Sequence, residues 1–68
     1  MENKFYKLLV MFQTNEIITR KRLLRISGIT ESLINEAITL HYLREFDVND
    51  IGDIRYIITD IGKQKRDS

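Results

Sequence analysis

Arg20, Lys21 and Arg22 stand together in the stretch TRKRLLR, with Arg25 three residues further on. If a helix begins after Thr19, these cations occupy its first turn, where unpaired backbone N–H groups already make the helix end positive. Each is then unfavourable by about 0.3–1 kcal/mol at low salt. A phosphate at that end would meet N–H groups and guanidinium groups together, and would turn the repulsion into a binding site. Solubilising surface charge explains the same residues, and the sequence alone leaves both accounts open.

Other chemistries find less to work with. The chain has no cysteine and a single histidine, His41, so disulfides and thiolate metal sites are excluded and a zinc site would need carboxylates. No metal or cofactor is expected. Ser27 and Ser32 lack a histidine base, because His41 is expected to face the core of its helix. Gly28, Gly52 and Gly62 are isolated and form no phosphate cradle. Asp47, Asp50, Asp53 and Asp60 lack calcium-loop spacing; turn formation and protection of strand edges account for them. The chain does not read as an enzyme.

Sixty-eight residues make one domain, and a chain this short buries only about 60% of its unfolded surface. Compactness must come from its 43% hydrophobic residues or from a partner subunit. The longest apolar run, LLVMF, is far shorter than the roughly 20 residues a membrane span requires, and no signal peptide is evident. A cytoplasmic location is the expectation. Net charge is only +1, so a polyanionic partner must be argued from where charges sit.

The elements that would position these residues can be read from periodicity. Phe5, Leu8, Leu9 and Phe12 form one helical face within a helix of about 3–14. Tyr6, Val10 and Met11 point elsewhere, and this surplus apolar surface marks a candidate homodimer interface, unless later segments cover it. A minimal strand follows at about 17–19, and a second helix at about 20–27 ends at Gly28. Thr30 caps a third helix of about 30–44, with Glu31 in its first turn. Leu33, Ile34, Ala37, Ile38 and His41 share one side of it; Ser32, Asn35, Glu36 and Thr39 share the other. Period-two alternation then gives strands at about 46–50 and 54–59, around a turn near Asp50 to Asp53. The tail, DIGKQKRDS, adds at most one helical turn.

This order, with Gly28-Ile29-Thr30 in the hinge, resembles a winged helix-turn-helix domain. Leu24 stands where the second helix packs on the third in that family, Ile29 behind the turn, and Ile34 at the anchor of the third helix. YIITDIGK, Tyr56 to Lys63, is similar to an ending common in small bacterial winged-helix regulators. The resemblance implies an α+β fold: a three-helix core with a C-terminal β-hairpin wing. It also implies a small transcriptional regulator that places the third helix in the major groove of double-stranded DNA. Thr30, Ser32, Asn35, Glu36 and Thr39 are then the base-contact candidates, with Asn35 suited to adenine and Glu36 to cytosine N4. Arg20, Lys21, Arg22, Arg25 and, on the wing, Arg55 are the phosphate candidates, with Lys63, Lys65 and Arg66 behind the wing. No arginine on the third helix is placed to take guanine. A protein-binding module, such as an antirepressor or inhibitor from a phage or other mobile element, is the alternative. It would use Leu40, Tyr42, Leu43 and the acidic groups.

Overall fold

Two threonines start the helices around which the molecule is built. The computed structural model describes residues 3–68. The Thr19 hydroxyl accepts the Arg22 N–H at 3.2 Å and opens α2 (Arg20–Leu24). The Thr30 hydroxyl accepts the Leu33 N–H at 3.1 Å and opens α3 (Glu31–Thr39). Side-chain caps of this kind satisfy N–H groups that have no partner within the helix. Between the helices the N–H groups of Arg25 and Ile26 step back three residues instead of four, at 3.3 and 3.1 Å. Gly28 then takes φ +91°, a conformation that costs glycine nothing. The second helix therefore ends at Leu24, short of the expected 27. Leu24 is 39% exposed, against the packing position expected of it, and Leu23 is the residue of α2 that is fully buried in the core.

The first helix is shorter too. Phe5, Leu8, Leu9 and Phe12 are buried, as their spacing requires, but α1 covers only Tyr6–Leu9. Beyond it the N–H groups of Met11 and Phe12 turn to carbonyls three residues back, at 3.3 and 3.0 Å. The Glu16 carboxylate then accepts from the Gln13 N–H at 3.0 Å, the Thr14 N–H at 2.7 Å and the Thr14 hydroxyl at 2.6 Å. These donors stabilise the charged form. The Thr14 hydroxyl leads, and together they hold the carboxyl at about 2.

The third helix stops at Thr39, not near Arg44, because His41 takes φ +64°. The Tyr42 N–H donates to the Ala37 carbonyl at 2.8 Å and the His41 N–H to the Ile38 carbonyl at 3.0 Å. That pair of bonds is the Schellman termination, usually built on glycine. His41 is consequently exposed and outside the helix, and its expected core-facing position is corrected.

Strands β1 (Ile18–Thr19), β2 (Leu43–Val48) and β3 (Ile54–Ile58) form an antiparallel sheet in the order β1-β3-β2. Ile18 and Leu43 lie opposite Tyr56 and Ile58, and all four are buried on the inner face. A bulge between Glu45 and Asp47 breaks the register at Phe46. In the hairpin loop the Asn49 side-chain oxygen accepts the N–H groups of Ile51 and Asp53, at 3.2 and 2.8 Å.

The chain does not close on this hairpin. A further helix, α4 (Asp60–Asp67), follows β3, and the described residues form four helices and a three-stranded antiparallel sheet. The expectation of a three-helix core with a C-terminal wing is thereby overturned: the hairpin is internal, and β1 joins it as a third strand. The reason lies in YIITDIGK. The Thr59 hydroxyl accepts the Gly62 N–H at 3.0 Å, capping α4, and itself donates to the carbonyls of His41 and Tyr42. Gly62 lies so close to the Tyr42 carbonyl that any Cβ would overlap it. At the far end, Arg66 donates to the carbonyls of Phe12 and Gln13 at 2.6 and 3.0 Å, and the Asn3 amide to the Lys65 carbonyl at 3.0 Å. The helix thus packs on α1. Its sequence is strongly polar and only Gly62 of the helix is buried, so no run of apolar residues marks it.

Candidate nucleic-acid interface

The exposed side of α3 carries Ser32, Asn35, Glu36 and Thr39, while Ile34 and Ala37 are buried opposite. These polar residues are not equally available. Thr30 is committed to its cap. The Thr39 hydroxyl donates back to the Asn35 carbonyl at 3.0 Å. Glu36 accepts from Lys4 at 2.8 Å, in a pair whose members are both exposed. Ser32 and the Asn35 side chain remain exposed, with no hydrogen bond among the described residues. Of the five base-contact candidates, these two are ready to bond, and Thr39 and Glu36 would have to exchange a partner.

Charge around α3 is arranged by pairs that the sequence does not reveal. Arg20 reaches across the Gly28 turn to Glu31, and its side chain is only 25% exposed. Together with Lys4–Glu36, this neutralises both glutamates of α3. Lys21, Arg22 and Arg25 stay exposed beside it on α2 and the following turn. A methyl group built on Gly28 would lie 3.3 Å from Lys7 Nζ, so the Lys7 amine sits over the same turn. Lys7 was not among the phosphate candidates. Its i, i+3 spacing from Lys4 is the signal the sequence offers.

The hairpin is electrostatically different. Arg55 donates from Nε to Asp47 at 2.5 Å and from Nη2 to the other carboxylate oxygen, and its guanidinium lies 5.7 Å from the Phe46 ring centroid. The Arg55 hydrogen bonds hold the Asp47 carboxyl below its usual range. Asp50 and Asp53 lie further out, near the tip. Arg55 is therefore bound in place on an acidic hairpin. Lys63, Lys65 and Arg66 belong to α4 instead of flanking the hairpin, and Arg66 is taken up by the Phe12 and Gln13 carbonyls, beyond α1, and by Asp67.

The surplus apolar surface of α1 is smaller than its composition implied. Met11 packs against the core and Val10 is half-buried, while Tyr6 stays 54% exposed. Among the described residues no cluster of three or more histidine or carboxylate groups could hold a metal, and no helix is long and apolar enough to cross a membrane. No family model, curated protein or solved structure matches the chain.

Proposed function

We propose that this chain binds double-stranded DNA through the α2–turn–α3 unit, as a small regulator of transcription would. Ser32 and Asn35 meet base edges, and Lys21, Arg22, Arg25 and Lys7 meet phosphates. The single observation that carries this reading is the pairing of Glu31 with Arg20 and Glu36 with Lys4. It removes the repulsion that two glutamates on a groove-facing helix would otherwise exert, and it leaves exposed cations beside the polar face. Asn35 suits adenine, whose N6 and N7 match an amide in two bonds, worth about 1–3 kcal/mol of discrimination. Phosphate contacts position a protein without reading sequence. With Lys7, Lys21, Arg22 and Arg25 engaged, log K against log salt should have a slope of about −3.6.

Titration of a fluorescent duplex at stepped salt tests this. Lys21→Glu/Arg22→Glu should weaken binding for every sequence and flatten the slope by about 2. Absent binding, or binding indifferent to salt and to the charge reversal, refutes the proposal.

A further inference from the structure

The outer face of the sheet holds a feature that DNA binding leaves unused. Strand partners share a face, so Arg44 opposite Ile57 and Thr19 opposite Arg55 lie away from buried Tyr56 and Ile58. Alternation puts Ile17 on that outer face as well. Asn15, Ile17, Phe46, Ile57 and Ile58 line a cleft of about 250 Å³, with Ile17 41% and Phe46 46% exposed. At the other end of the same hairpin, Ile51 is 78% exposed beside Asp50. Its side chain contributes little to its own turn, which is held by Asn49 through backbone N–H groups.

We infer that two copies of this chain associate about a two-fold axis, outer sheet faces antiparallel, with Ile51 of each copy entering the Ile17–Phe46–Ile57 cleft of the other. Space permits it: an apolar cavity of roughly 150 Å³ takes a benzene molecule, and this cleft is larger. Charge agrees with it. Asp50 and Asp53 accompany the knob, and Arg44, exposed and with no ion pair among the described residues, stands at the cleft opposite Ile57. Reach agrees too. Ile51 stands six positions before Ile57, at most about 20 Å along the hairpin, so an axis midway, near Ile54, serves both contacts at once. A second copy is favoured over a foreign chain because knob and cleft belong to one sequence, and a reciprocal contact closes on itself. Edge-to-edge pairing through β2 is discouraged by the bulge at Phe46, which leaves the face as the route. The dimer stands independently of DNA binding.

Sedimentation equilibrium over a concentration series decides. Wild type should dimerise. Ile51→Lys and Ile17→Glu should each raise the dissociation constant about a hundredfold, since either change removes both symmetric anchors at about tenfold apiece. Mixing the two variants restores one knob in one intact cleft, so the mixture should associate more tightly than either variant alone. A wild type that stays monomeric at millimolar concentration overturns the proposal. So does a dimer indifferent to Ile51→Lys, a variant at an exposed tip that leaves the fold intact whether or not Ile17→Glu tolerates its charge. A mixture no tighter than its components overturns it equally.

Discussion

Replacing Gly62 with alanine should reverse the usual effect of that substitution in a helix. Gly62 lies inside α4, where alanine is normally preferred by about 1 kcal/mol. Here the new methyl would overlap the Tyr42 carbonyl oxygen and fall 2.7 Å from Ile58 Cγ1 and 2.9 Å from the Tyr42 carbonyl carbon. The obstacle is backbone and cannot rotate aside. That carbonyl also accepts the Thr59 N–H at 3.0 Å and the Thr59 hydroxyl at 3.1 Å, so displacing it loosens both bonds. Overpacking costs about 1–3 kcal/mol, and each weakened hydrogen bond about 1 kcal/mol. Against the propensity gain, a net loss of about 2–4 kcal/mol is expected. A domain of this size has roughly 3–10 kcal/mol in total, and each kcal/mol lowers Tm by about 4–8 °C. Thermal melting by circular dichroism should therefore show a fall of at least about 8 °C, or no folded baseline. Gln64→Ala, exposed on the same helix, serves as the control and should melt within a few degrees of wild type. A Gly62→Ala protein as stable as wild type would refute the packing of α4 on the α3–β2 junction.

Two further outcomes follow from local geometry. His41→Gly should stabilise the fold by about 0.5–1 kcal/mol in urea titration, because relief of a left-handed residue exceeds the added entropy of the unfolded chain; a destabilised variant would mean that the imidazole makes contacts outweighing the strain. Glu16 has a carboxyl at about 2, below its ordinary 4.5, so its contribution is complete above that ordinary value and is lost as pH falls toward 2. Across this window wild type should lose more Tm than Glu16→Gln, the two converging at the acid end, and parallel curves would contradict the bonds to Thr14 and Gln13.

Signals tied to one or two residues survived translation into structure. Thr19 and Thr30 cap helices because a hydroxyl before a helix meets free N–H groups, and Gly28 turns the chain because only glycine does so without strain. The buried face of Phe5, Leu8, Leu9 and Phe12 followed from spacing alone. Helix ends were harder to read. The αL residue that stops α3 is a histidine, which carries no termination signal in sequence, and the periodic run through Leu43 invited a longer helix. The fourth helix was hidden because it is held by Thr59, by the close approach of Gly62 and by Arg66 on the Phe12 and Gln13 carbonyls, contacts that join residues up to 54 positions apart. The ion pairs were concealed by the turns between their members, 11 positions for Arg20–Glu31 and 8 for Arg55–Asp47. Arg20 and Arg55 looked like free cations until the fold set Glu31 and Asp47 against them.

The most direct test of the DNA reading is amide chemical-shift mapping while unlabelled duplex is added to isotope-labelled protein. Resonances of Lys7, Lys21, Arg22, Arg25, Ser32 and Asn35 should move together and saturate, with the hairpin tip at Asp50 and Ile51 unaffected. Shifts confined to the hairpin or to α4, or a spectrum unchanged by excess duplex at low salt, would contradict it.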